Sequence, residues 1–315
     1  MYSEAFVQMA LDTLSCSQKE LAARLGVSPT QISKWKKGEH MSMEMEKKFR
    51  AIVKIGNRDP EFVLWAGSLK SAIKWERLIH HLADIAHDSA ETGYNTYPLG
   101  EGAETLCWKT FHTLREMGVT IPKEFPAELD FDYEEADEDS FEVMEENPYA
   151  ALISSIYDSL NNVYGFYAAY VDDLIYDDDL DLMDTSACNI EPCLMSLAAC
   201  KIEENRDFMP KFAEFKRQVM EDYEEWLTIV KNKAFRAGIP LRAELLGLVY
   251  DSDDELGHEA EAESFGFNSS RLHPDIYMNE LLVRMRIIHQ VLPAIMKKLG
   301  IEDEFRLDES ELRIG

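Results

Sequence analysis

The sequence predicts an all-α protein in two unequal parts, a small basic unit over residues 1–57 and a larger acidic body over residues 60–315. Three observations carry that expectation. Apolar residues recur at spacings of three and four along the 315-residue chain, with almost no strand-like alternation. Capping residues, prolines and glycines punctuate the helical stretches at their ends. The charge also changes sign near residue 58. Residues 1–58 hold ten Lys and Arg against six Asp and Glu, a net of +4; subtracting from totals of 32 and 60 leaves 22 against 54, a net of −32. A polyanion is attracted to such a head and repelled by such a body, so the two parts point to different partners.

Composition narrows the class. With 46% hydrophobic and 10% aromatic residues there is material for a core, which excludes wholesale disorder. No apolar run approaches the roughly 18 residues a membrane span needs, and the N-terminus lacks the apolar core of a signal peptide. Five cysteines, an odd number scattered over a long chain, make no disulfide framework and fit a reducing compartment. The expectation is a cytoplasmic protein without membrane contact.

In the head, residues 3–14 place Phe6, Val7, Ala10, Leu11 and Leu14 on one helical stripe. Ser17 with Glu20 forms a capping box that opens QKELAARL, and Gly26 ends it in a sharp turn. Ser28 caps a third helix, PTQISKWKK, with Pro29 at its first position, where the missing N–H costs nothing. Two short helices joined by a tight Gly turn make a helix-turn-helix. Leu21, Leu25, Val27, Ile32 and Trp35 face inward, with Ala22 small enough for a close crossing. Gln18, Thr30, Gln31, Lys34, Lys36 and Lys37 face outward. Amides and hydroxyls at a helix start, followed by lysines, suit base edges and then phosphates.

The run SQKELAARLGVSPTQISKWKKGEHMS resembles the lambda-repressor/Cro-like (XRE-type) helix-turn-helix family over roughly the first 55 residues, through Gln18, Ala22, Gly26, Val27, Ile32, Trp35 and Gly38. The resemblance implies that the helix from Pro29 enters the major groove of double-stranded DNA. Thr30, Gln31 and Lys34 would then be base-facing, and Gln18, Lys36 and Lys37 near phosphates; Ser28, at the helix start, completes the DNA-binding set. Pro29 stands where relatives often carry a hydrogen-bonding side chain, which limits its readout to apolar contact. Lys36 stands where an acid is common, which strengthens phosphate binding. MEMEKKFRAIVKI would close the unit with Phe49, Ile52 and Val53 beneath the motif. Helix-turn-helix folds also serve as protein-docking modules.

In the body, Asp59-Pro60 opens a long helical segment with Trp65, Leu69, Ile73, Leu78, Leu82 and Ile85, broken at Thr92-Gly93 and near Pro98, and a shorter helix follows at about 102–117. Residues 128–146 hold 11 acids in 19 residues and no base, and read as an exposed acidic loop. Pro148 opens a Tyr-rich helix to about 176, and another is expected over 187–204. Residues 207–236 align Phe212, Phe215, Val219, Tyr223, Trp226 and Val230, and Pro240 starts a shorter helix. The helix from Pro274 to 299 spaces Leu281, Met285, Ile288, Leu292, Ile295 and Leu299 as an a/d seam, although Pro293 interrupts it. Burial in the body's own core is the first reading of that seam, and dimerisation the second.

Catalytic or metal constellations are weak. Cys188, Cys193 and Cys200 fit no zinc spacing, and His80, Asp84 and His87 read as a solvated helix face. Glu255-x-x-His258 lacks its partner motif, and the aspartates from Asp177 lack the glycine of a calcium loop. No P-loop, GxGxxG, HExxH or GxSxG occurs. The expectation is a non-enzymatic, cofactor-free transcriptional regulator. Its head would read a near-palindromic operator, and its body would form a homodimer and sense a ligand or protein. The alternative is an antitoxin-like or defence-system protein that regulates its own gene. The acids at 128–146 and 251–263 would serve solubility or a linker, or else compete with DNA for the head or dock a basic partner, and the tyrosines at 157, 164, 167, 170 and 176 would serve the core or a partner surface.

Overall fold

A computed structural model describes residues 2–90, 94–100, 103–237 and 274–301. Among them are thirteen α-helices and no strand. The head consists of α1 (Tyr2–Leu14), α2 (Gln18–Leu25), α3 (Pro29–Trp35) and α4 (Met43–Val53). Phe6, Leu21, Ile32, Trp35 and Phe49 fill its centre. Phe49 lies 6.0 Å from Phe6 and meets Trp35 edge-on at 5.9 Å, as aromatic quadrupoles prefer.

No loose tether separates head from body. Lys54 ends α4 in the left-handed region, Ile55 is fully buried, and Asp59 caps α5 (Pro60–Trp65) by accepting from the Glu61 and Phe62 amides at 2.7 and 2.9 Å. Arg50 donates to the Gly56 and Arg58 carbonyls, both at 2.9 Å, and lies over the Phe6 ring. Helix α1 packs on α4 on one side and on α5 on the other.

The long segment after Pro60 is two helices, α5 and α6 (Leu69–Asp88). Gly67, at φ +81°, passes so close to the Lys123 carbonyl that a Cβ would stand 2.6 Å from its oxygen, and Ser68 restarts the chain by capping Ser71. The buried stripe of α6 runs through Ala72, Trp75, Leu78, Ile79 and Leu82, while Ile73 is exposed. Trp75 is the body's aromatic hub, edge-on to Phe111, Phe125 and Tyr149 at 5.4, 5.0 and 5.8 Å. Helix α7 (Ala103–Glu116) and α9 (Pro148–Tyr170) flank α6.

Residues 128–146 are not an open loop. Two 3-10 turns, Ala127–Leu129 and Tyr133–Glu135, lead into α8 (Glu138–Glu146), which packs on α9. Leu129 and Met144 are buried. The acids are held to α6 by a Lys74–Asp130 ion pair and by Arg77, 3.3 Å from the Phe131 carbonyl and 3.6 Å from Asp132. Interleaved apolar residues and bases from a distant helix thus order a stretch whose composition alone reads as a loop.

The helix expected over 187–204 is shorter. Turns at Ser186–Asn189 and Glu191–Cys193, the latter containing Pro192, precede α11 (Leu194–Ala199). Between α9 and these turns lies the short α10 (Asp172–Ile175), and α12 (Phe212–Ala237) packs on α10, α11 and the first turn. Tyr157 and Tyr167 belong to the core and Tyr176 is exposed; the Tyr170 side chain lies outside the described residues.

The largest correction concerns α13 (Pro274–Leu299). Its seam is not in the body's core: Met285, Ile288, Leu292, Ile295 and Leu299 are 57, 60, 45, 47 and 65% exposed. The Leu281 side chain, the helix expected after Pro240, the 251–263 acids and Glu255-x-x-His258 lie outside the described residues. No helix among the described residues is long and apolar enough to cross a membrane.

Candidate nucleic-acid interface

The interface is built by local rules. Ser17 and Glu20 close a reciprocal cap: the Ser17 amide donates to the Glu20 carboxylate at 2.8 Å, and the Glu20 amide donates to Ser17 Oγ at 3.4 Å. The Ser17 amide, and the Ser17 hydroxyl that also donates to the carboxylate at 2.8 Å, hold the Glu20 carboxyl below its ordinary range. Gly26, at φ +69°, turns the chain, and the Ser28 hydroxyl accepts from the Gln31 amide at 3.2 Å to start α3. Beneath, Trp35 Nε1 donates to the His40 carbonyl at 3.2 Å and pins the loop that follows.

On this frame Ser28, Thr30, Lys34, Lys36 and Lys37 are exposed, while Gln18 and Gln31 are half-buried. Helix α3 ends at Trp35, earlier than the PTQISKWKK reading. Lys36 is its C-cap and Lys37 lies in the turn before Gly38, which has φ +83°. Both cations therefore sit at the negative end of the short helix dipole. Thr30 and Lys34, four residues apart, share one face of α3.

Two residues join the set that sequence reasoning passed over. Ser33, between Thr30 and Lys34, donates its hydroxyl proton to the Pro29 carbonyl at 3.2 Å and lies 3.5 Å from the Gln18 side-chain amide at the start of α2. Glu39 pairs with Lys34 at 3.3 Å, with both side chains about half exposed. The acid two residues beyond Lys37 is visible in the sequence; that the turn folds it back onto Lys34 is not.

Among the described residues no group of His, Cys, Asp and Glu could hold a metal ion. His80 is half-buried, and His87 instead bonds Asn95 at 2.7 Å. Cys200 is buried, and burial pushes the Cys193 thiol up to about 12, which leaves it protonated and unreactive.

The sequence model of the helix-turn-helix family matches residues 8–44. The head is a helix-turn-helix domain of the XRE, lambda-repressor/Cro-like type. The match spans α2 and α3 of this helix-turn-helix, with parts of α1 and α4, and stops short of the body. No curated protein and no solved structure matches the chain.

Proposed function

We propose that the protein is a sequence-specific DNA-binding transcriptional regulator that acts as a dimer and whose body receives a signal from a ligand or another protein. The observation that carries the reading is the XRE-type head with Thr30 and Lys34 exposed on one face of α3 and two lysines at its end. In this reading Thr30, Gln31 and Lys34 contact bases, while Gln18, Ser28, Lys36 and Lys37 contact phosphates. One small head makes few base contacts, so useful specificity requires two heads on half-sites about one helical turn apart, in a near-palindromic operator.

The test is selection of fragmented genomic DNA by the full-length chain, with sequencing of what is retained. Point variants serve better than truncation here, because α1 packs on α5 and cutting after residue 57 would divide that contact. Enrichment of a short near-palindrome, lost in a Thr30→Ala/Lys34→Ala variant, supports the reading. Retention without sequence preference removes it.

A second reading is an antitoxin-like or defence-system protein whose body holds another protein while the head regulates its own gene. The exposed apolar face of α13 favours it, and a stoichiometric second protein on purification would be its mark.

A further inference from the structure

A cavity of about 340 Å³ lies between α7, α12 and the turns that precede α11. Sites for small molecules begin near that size, about 300 Å³, and combine aromatic walls with a few placed polar groups. Here one wall is an aromatic stack. The Trp108 and His112 rings of α7 lie 4.6 Å apart and 10° from parallel, and both line the cavity. Trp65 of α5 flanks the pair, 6.4 Å from Trp108 and 6.3 Å from His112. Trp108 Nε1 donates to Glu61 of α5 at 2.8 Å, so this ring is held in place and its N–H is engaged.

The other side of the cavity is chemically unfinished. Trp226 of α12 is half-buried and Asn189 of the first turn is exposed, and both line the space. Among the described residues neither the Trp226 indole N–H nor the Asn189 side-chain amide has a hydrogen-bond partner. A half-buried indole N–H ordinarily finds an acceptor. Charge restricts what can enter. Glu116 in the α7 wall pairs with His112 at 3.3 Å, and Lys109, the other base of that wall, is not free. The walls therefore present no uncommitted cation, inside a body of −32. Larger cavities on α6 and α12 differ in kind, because charges that already pair with each other line them, Arg58 with Glu76 and Arg217 with Glu221.

We propose that the cavity between α7, α11 and α12 binds an uncharged purine base or nucleoside. The proposal rests on the signal-receiving body of the proposed function and names the class of signal. The purine lies against the Trp108–His112 wall, and a ring nitrogen accepts from Trp226 Nε1. The Asn189 amide meets the neighbouring donor and acceptor on the base edge, the pairing by which asparagine reads adenine. A plain hydrocarbon ring fills the space but leaves both polar groups unmet. A nucleotide brings a negative charge that no free base receives and that the acidic body repels.

The experiment is calorimetric titration of the full chain with adenosine, guanosine and adenosine monophosphate, with circular dichroism as the check on folding. At least one of the two nucleosides is expected to bind once per chain, and the monophosphate about ten-fold more weakly than adenosine. Trp226→Phe keeps a ring and loses the N–H, and Asn189→Ala removes the amide; each is expected to weaken nucleoside binding about ten-fold. Ser196→Trp, at a half-buried position in the same lining, fills the cavity and is expected to abolish binding. A wild type that binds neither nucleoside overturns the proposal. So does binding untouched by all three variants, which would place the nucleoside elsewhere, or a monophosphate that binds as tightly as the nucleosides. Genomic selection is read separately: an enriched operator without nucleoside binding sinks the cavity reading alone, and nucleoside binding without sequence preference sinks the DNA reading alone.

Discussion

Lys34 cannot be understood without Glu39. The carboxylate 3.3 Å away neutralises the cation assigned to the groove and would itself face phosphates. Glu39→Gln is expected to tighten operator binding about 2- to 5-fold at low salt, the worth of an exposed pair at 0.5–1 kcal/mol, with the gain vanishing at high salt. Fluorescence anisotropy at two salt concentrations reads it. Lys34→Ala is expected to relax preference at one or two base positions, whereas Lys36→Ala weakens all sequences alike and flattens the salt slope by about 1. Equal sequence preference for wild type and Lys34→Ala would place the groove contact elsewhere.

Asp59 gives a prediction of another kind. Burial pushes its carboxyl up to about 6, against the pull of the two amides it caps. The folded chain thus holds this proton more tightly than the unfolded chain does. The stabilisation is complete below about pH 4 and is lost as pH rises through 6. Asn caps as well and carries no charge. Asp59→Asn is therefore expected to raise stability at pH 7.5 by on the order of 2 kcal/mol and to change little at pH 4, as read from urea midpoints. An equal effect at both pH values would refute the buried-charge account.

At the scale of elements, what was legible in the sequence is what neighbours in the chain decide. Ser17, Gly26 and Ser28 set the start, turn and restart of α2 and α3 within a few residues, and the structure keeps each in that role. Ser28→Ala removes an acceptor for the Gln31 amide and is expected to cost about 1 kcal/mol in urea denaturation. The misread elements depend on distant partners. Residues 128–146 are ordered by Lys74 and Arg77, more than 50 positions earlier, and no local pattern announces that pairing. Periodicity found α6 but chose Ile73 for its buried face, when Trp75 is the residue around which three rings gather. Trp75→Ala is expected to cost about 4 kcal/mol, the range for emptying a packed aromatic site. The limits of α13 were read correctly and its surroundings were not, because an amphipathic helix looks the same whether its cover lies in its own chain or another.

At the scale of the whole molecule, the charge division legible from composition frames everything else. A +4 head is carried by a −32 body, so the attraction to DNA is local and the repulsion broad. In the proposed reading this arrangement suppresses adhesion to arbitrary sequence and leaves binding dependent on the fit of α3. The frame of the candidate site was legible, because the caps and turn of a helix-turn-helix are local signals, whereas the Lys34–Glu39 pair was not. The body's function was not, because a core of leucines and tyrosines fixes a shape without naming what the shape receives.

Because α1 is wedged between α4 and α5, and Arg50 clasps both carbonyls of the joint, the head rides on the body without slack. A regulator with a floppy tether can stretch to half-sites at many separations. The proposed dimer would lack that reach; it would behave as a caliper with a locked jaw. Moving the two half-sites apart by five base pairs would turn the second out of phase, and ten would restore the phase but not the reach. The spacing of any operator this protein reads is, in that sense, already cut into the wedge beneath its first helix.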